Sequence, residues 1–376
     1  MTSHKPLHGQ QRRSVLLAGG AAAALACIRP GIAAAPFQWE RAKPESGGMA
    51  PDFAARLEQG TKSGEFANLH AVFVARGGKI EAEHYFEGQD ERWGTPLGTV
   101  AFSANTLHDV RSISKSVVGL LYGIALAEGK VPDVDTPLLD VFPAYADLAT
   151  DERKRAIRIS NVLTMTMGLE WNEDVPYNDP RNSEISMERS KDRYRYVLER
   201  PVVAKPGERW RYSGGATAVL GHLIAKGAGV PLLDYARAKL FSPMGIETVE
   251  WTNGFNGEAA AASGLRMRAP DLARIGQLLL QRGEWNGRAL VSKDWISESL
   301  TPRIGAFDGL QYGYHWYMVQ RRDGLPAYVA IGLGGQRLVV VPALELVRVI
   351  FMGNYYREDQ LKPLLAVQTL INASLR

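Results

Sequence analysis

The stretch SISKSVVGLLYGIALAEG, Ser112–Gly129, decides how the rest of the chain is read. Val117, Val118, Leu121, Ile124 and Ala125 recur at helical spacing, and Glu128-Gly129-Lys130 is a stop signal. The pattern predicts a largely buried helix that begins at Ser112. Its first turn carries Ser112-Ile113-Ser114-Lys115, an S-x-x-K. Side chains three apart share a helix face, so the Lys115 amine can reach the Ser112 hydroxyl. Burial and the positive end of a helix both lower a lysine pKa, and a neutral amine can take the serine proton. The Ser112 N–H, unclaimed by the helix, can face a developing oxyanion. The bland alternative is a chance S-x-x-K in which Ser112 is only an N-cap.

On either side of this helix the period changes. His70–Arg76 is rich in β-formers, Gly77-Gly78 makes a turn, and Lys79–Phe86 alternates apolar and polar, which reads as a hairpin. Residues 36–65 read as an irregular to weakly helical lead-in. After the helix, Ser160–Leu169 reads as a short helix ending at Gly168, and residues 170–195 as loop. Gly215–Ala228, Leu232–Leu240 and Ala269–Arg282 read as helices, the last with Pro270 in its first turn. Strands return at Tyr312–Val319, Ala327–Leu333, Arg337–Val341 and Leu346–Met352, followed by a helix from about Asp359 to Leu375. The expected class is α/β: one antiparallel sheet built from both ends of the chain, flanked by helices, with a mostly helical region over about 113–260 inserted.

Two further elements carry chemistry. Tyr212-Ser213-Gly214 follows the turn Lys205-Pro206-Gly207-Glu208 and precedes a helix. A tyrosine so placed can project into a cleft and relay a proton, if cations nearby favour its phenolate. The alternative is a core tyrosine with a bonded hydroxyl. Gly332, inside Tyr328–Gly335, marks a close approach of a ligand or another backbone, and the Leu333 N–H is a second candidate oxyanion donor. Trp171, Tyr177 and Trp316 are candidate pocket aromatics, with core packing an equal alternative for Trp316. His108 reads as structural.

Taken in order, Ser112–Lys115, Tyr212–Gly214 and Ala330–Leu333 resemble the serine β-lactamase and penicillin-binding set of three motifs. The chain resembles the family of class C β-lactamases, D-alanyl-D-alanine carboxypeptidases and related esterases over about residues 66–355. Supporting stretches are LTMTMGL at Leu163–Leu169, PGERWRYSGG at Pro206–Gly215 and GLRMRAPDLARIGQLLL at Gly264–Leu280. GLGGQ, ending at Gln336, is most similar to the 6-aminohexanoate-oligomer hydrolase branch. The resemblance implies a β-lactamase/transpeptidase-like fold, with Ser112 as acylated nucleophile, Lys115 as base and Tyr212 as second proton relay. It also implies an oxyanion hole from the Ser112 and Leu333 N–H groups. Two departures bear on substrate. The asparagine of Y-x-N is Gly214, and the Lys or His opening the third motif is Ala330. Losing that cation ranks β-lactam and peptide carboxylates below ordinary esters and amides. The rival readings are a β-lactamase or D-alanyl-D-alanine carboxypeptidase, and a non-catalytic binding protein on this fold.

The composition excludes other classes. Of 376 residues 45% are apolar and 22% charged, as in an ordinary globular protein. The formal charge of +4 comes from Lys5, Arg12, Arg13 and Arg29, which precede residue 36 with no acidic residue among them. The remainder is neutral and gives no electrostatic case for nucleic acid. Residues 1–35 read as an export signal of the twin-arginine kind, with Arg12-Arg13, an apolar run and Ala33-Ala34-Ala35 before Pro36. A general secretory signal, a membrane anchor and lipid attachment at Cys27 are the alternatives. Cys27 is the sole cysteine, so the exported chain would carry no thiol. No G-x-S-x-G elbow, P-loop or H-E-x-x-H occurs. The expectation is a periplasmic or secreted hydrolase of small esters or amides, with no cofactor, metal or later membrane span.

Overall fold

The computed structural model describes residues 37–43, 48–177 and 179–376. The proposed export signal and Cys27 lie outside the described residues. The chain runs β1 (Glu40–Arg41), α1 (Phe53–Ser63), the hairpin β2 (Leu69–Arg76) and β3 (Lys79–Tyr85), and a second hairpin, β4 (Glu87–Arg92) and β5 (Thr95–Ala101). Then come β6 (His108–Asp109), α2 (Ile113–Ala127), α3 (Glu152–Arg155), α4 (Ile159–Leu163), α5 (Ser183–Arg189), α6 (Arg193–Glu199), α7 (Gly214–Ala228) and α8 (Leu232–Ala236). After β7 (Glu250–Trp251), β8 (Leu265–Met267) and α9 (Ala269–Leu280) stand β9 (Glu284–Trp285), β10 (Arg288–Ala289) and α10 (Lys293–Ser299). The last part is β11 (Ile304–Gly305), β12 (Gln311–Tyr312), β13 (Tyr317–Gln320), β14 (Pro326–Gly332), β15 (Gln336–Val341), β16 (Leu346–Met352) and α11 (Leu361–Ser374).

One sheet joins the two parts of the chain, in the order β1-β3-β2-β16-β15-β14-β13-β12-β11. The join is the antiparallel pairing of β16 with β2, and both strands are buried almost throughout. Strands buried on both faces read as continuous apolar runs, which is why VVV at 339–341 and LVRVIF at 346–351 lose their alternation. Helix α9 covers one face, packing on β2, β15 and β16. The added Cβ of an alanine at Gly276 would meet Val347, Leu338 and Val340, so this glycine lets α9 lie close to the sheet. Helix α2 enters the other layer and packs on α7, and its first thirteen residues are buried.

Several expectations need correction. The sheet is not wholly antiparallel, because β1 adds a parallel edge beside β3. Within the segment read as irregular to weakly helical, α1 is a regular helix that buries Phe53 and Leu57 and packs on α11. The loop expected over 170–195 contains α5 and the start of α6, whose N-caps Asn182 and Asp192 accept from Glu184, Ile185 and Arg195 N–H groups. Those caps were readable, but two seven-residue helices are too short to show a period. The helix expected at 160–169 stops at Leu163, and Met165 turns left-handed at φ 56°. The strand expected at 312–319 is broken between β12 and β13. There His315, at φ 61°, turns inward and bonds the Leu163 carbonyl and the Thr217 hydroxyl. A buried imidazole with two partners outweighs a few ladder bonds.

Candidate active site

Strand β6 delivers the chain to Ser112 through a strained corner. Arg111 holds φ 50°, a left-handed value that non-glycine residues rarely adopt. It is fixed by ion pairs from its guanidinium to Asp109, at 3.2 Å, and to Glu91. Arg266 grips the same Asp109 at 2.8 Å. Such over-determined strain clusters at functional sites.

Ser112 is the N-cap of α2, yet its side chain makes no capping hydrogen bond. The hydroxyl is held by chemistry-bearing groups instead. Lys115 Nζ donates to Ser112 Oγ at 3.2 Å and to the Ala262 carbonyl at 3.0 Å. Lys115 is buried, and its Nζ lies 4.7 Å from the centre of the Tyr212 ring. The Tyr212 phenol faces Ser112. A cation does lie beside it, in Lys115, yet burial first, and the Glu173 charge second, push Tyr212 well above its ordinary value, against the lowering effect of the Ser112 hydroxyl. Tyr212 is therefore a neutral phenol beside Ser112 and Lys115.

Gly332 is where β14 meets this corner. A Cβ there would stand 2.4 Å from the Val110 carbonyl oxygen. The close backbone approach read from the sequence is thus to Val110, two residues before Ser112. Both Ser112 and Leu333 line one cavity of about 620 Å³, with Tyr177, Glu184, Trp93 and Phe255 among its walls. Leu333 continues from Gly332 toward the turn at Gly334-Gly335, so it and Ser112 border the same space.

The other expected aromatics divide. Tyr177 lines the cavity. Trp171 is buried, where a Cβ on Gly215 would touch it, and its indole donates to Glu173 Oε1 at 2.6 Å. Trp316 is fully buried and takes its core place. Ala330 is fully buried in β14.

Sequence reasoning missed Glu173 and Glu184. Glu173 Oε1 accepts from the Gly214 N–H, and Oε2 from the Tyr177 hydroxyl at 3.0 Å. Burial, then the Glu184 charge, raise its pKa to about 8, against the opposing Lys115 charge. Glu184 accepts from Ser263 at 3.0 Å, and its second oxygen is buried without a partner. A Cβ on Gly214 would lie 2.5 Å from that oxygen. The missing asparagine and the two glutamates are one feature: Gly214 clears the space that Glu184 fills and bares the N–H that Glu173 binds. The readable signal was Asn182, which caps α5 and aims Glu184 inward.

With this geometry in place, the comparisons with known proteins fall into line. The Beta-lactamase family model matches residues 53–370. The 6-aminohexanoate-dimer hydrolase of Paenarthrobacter ureafaciens is 25% identical over 323 residues, covering 79% of this chain and 74% of that protein. Among solved structures, EstCE1, a hydrolase with promiscuous acyltransferase activity, superposes with a TM-score of 0.67 at 16% identity, over 85% of this chain and 98% of its own. The octameric penicillin-binding protein homologue of Pyrococcus abyssi gives 0.64 at 17%, over 85% and 77%. At these identities the structural likeness shows the fold.

Proposed function

The chain belongs to the β-lactamase family, and from that premise we propose that it is a serine hydrolase cleaving small esters or amides through an acyl-enzyme on Ser112. The observation that carries this reading is the Ser112 hydroxyl, excused from capping its helix and held by Lys115, itself beside Tyr212, at the edge of a cavity.

Ser112 Oγ attacks the substrate carbonyl carbon and passes its proton to the Lys115 amine. The oxyanion faces the N–H groups of Ser112 and Leu333, donors that cost no reorganisation at that moment. Collapse breaks the bond to the leaving group, which takes a proton from the Tyr212 phenol. Lys115 returns its proton to Tyr212. Water then attacks the acyl-enzyme by the same relay in reverse, and the acid leaves. Ala330 supplies no cation for a substrate carboxylate, which supports esters and amides over β-lactams. The relative's printed name supports an amide with a linear chain. We place this activity outside the cytoplasm on the strength of Arg12-Arg13 and the apolar run behind them.

The test is mass spectrometry after treatment with a fluorophosphonate. One adduct on Ser112, absent in Lys115→Ala, is expected. A folded protein that takes no adduct, or takes it on another serine, returns the chain to a non-catalytic binding role. A fast penicillin adduct at Ser112 would favour the β-lactamase alternative.

A further inference from the structure

His70 on β2, Asp90 on β4 and His108 on β6 meet in the interior, each at most 6% exposed. Their candidate donor atoms all lie within 4.8 Å of one another. The protons on the two imidazoles can be placed from their neighbours. Asn68 pairs with the Gln89 backbone, donating from Nδ2 to the carbonyl and accepting the N–H at Oδ1, both at 2.9 Å. That fixes the amide, so the atom facing His70 Nε2 at 3.2 Å is an acceptor, Asn68 Oδ1. His70 must donate there. His108 Nδ1 faces the Asp109 carbonyl at 2.9 Å, so it too must donate outward. A neutral imidazole has one N–H. The inward nitrogens, His70 Nδ1 and His108 Nε2, therefore point lone pairs at each other across 2.9 Å.

Two facing lone pairs need a cation between them. The third group decides which kind. Asp90 Oδ1 lies 3.8 Å from His108 Nε2 and accepts from Tyr355 at 3.2 Å, while Asp90 Oδ2 is buried with no partner. A shared proton would satisfy the histidines and leave that carboxylate oxygen orphaned, a costly state. A metal ion takes all three donors. We propose that His70, Asp90 and His108 form a structural site for a divalent transition metal of the zinc class. Two imidazoles and a carboxylate suit that ion, and the bonds from Asn68, Asp109 and Tyr355 orient the ligands as outer partners do in such sites. The nitrogens need to open only to about 3.3 Å for tetrahedral ligation.

The surroundings are built for it. Phe102 stacks on His70 with ring centroids 4.1 Å apart, and Phe351 on His108 at 4.6 Å. Gly88 and Gly353 stand where any side chain would strike Asn68 or His70. No spacing motif could reveal the site, because its ligands come from separate strands about twenty residues apart. The bound ion would pin the β4–β5 hairpin to the sheet and fix β6, which leads into Ser112. This departs from the expectation of a metal-free chain with a merely structural His108.

The test uses the untagged full chain, stripped with a chelator, incubated with Zn²⁺ alone and desalted. Elemental analysis and thermal unfolding with and without Zn²⁺ are the readouts, so the outcome does not depend on hydrolase activity. The expected result is about one zinc per chain and a rise in Tm of roughly 5 °C or more. Asp90→Asn and His70→Gln, chosen in case either fails to fold, should each lose the retained zinc and the Tm shift. A folded wild-type chain that keeps less than ~0.1 zinc with an unchanged Tm overturns the proposal in favour of a shared proton. Zinc retained equally by wild type and both variants overturns it in favour of another site.

Discussion

Glu173 titrates near 8 in the folded chain against an ordinary 4.5, raised by burial and then by Glu184. Between those values the folded state keeps a proton that the unfolded chain has released. Stability therefore falls as pH rises through that window. Glu173→Gln keeps the acceptor for Trp171 and Gly214 and removes the titration. It should flatten thermal stability between pH 5 and 9 and leave the variant better than wild type at pH 9 relative to pH 5 by up to about 5 kcal/mol. Activity should respond too. The Glu173 anion holds the Tyr212 proton more firmly, so wild-type kcat should fall above pH 8 and that of Glu173→Gln should not. Matching pH profiles would remove Glu173 from the relay's surroundings. Gly214→Asn restores the asparagine that the family's middle motif normally carries. The clash is with the end of a flexible side chain, Glu184, so stability should drop by less than about 1 kcal/mol. Displacing Glu184 should lower kcat/KM about tenfold. A large loss of Tm instead would mean that Gly214 serves packing alone.

Gly332 shows the same logic at the level of an element, with a harder obstacle. What a Cβ would meet at 2.4 Å is the Val110 backbone oxygen, which cannot swing aside. Gly332→Ala must push β14 off the corner that carries Ser112. The expected cost is about 1–3 kcal/mol, with a fall in kcat of roughly 100-fold, since angstrom errors in a reacting geometry are that damaging. Labelling of Ser112 by a fluorophosphonate should slow in step, and an unchanged labelling rate would contradict the role given to β14. This glycine was legible in the sequence because a lone glycine in an apolar strand has few other reasons to exist. So were α2, α7 and α9, whose length lets the period show, and the β2–β3 hairpin with its Gly-Gly turn. The β4–β5 hairpin was not, since EGQDER is polar, TPLGTVA is interrupted by Pro96 and Gly98, and both lie mostly outside the core. Nor was the break at His315, where a long-range partner on α7, Thr217, overrides local strand preference. Glu173 and Glu184 were hidden for a related reason: their pairing is made by tertiary contact, not spacing.

At the scale of the molecule, no single layer owns the site. Ser112 and Lys115 come from the buried helix, Tyr212 from the turn before α7, and Leu333 from the end of a sheet strand. The apolar core runs without interruption through the sheet strands, α2, α7 and α9. The helical region has therefore no separate core on which to remain folded once the sheet opens, and the sheet has none once α2 leaves. Unfolding should be one cooperative transition, with the site lost at its midpoint and not before. In a urea series, Ser112 labelling, tryptophan fluorescence and near-ultraviolet dichroism should share a midpoint. Labelling that disappears at lower urea than the other two would show that the corner at Arg111 opens on its own. In that case Asp109→Asn, which removes the carboxylate held by Arg111 and Arg266, would shift the labelling midpoint alone. If the transition is one, the same variant should move all three together.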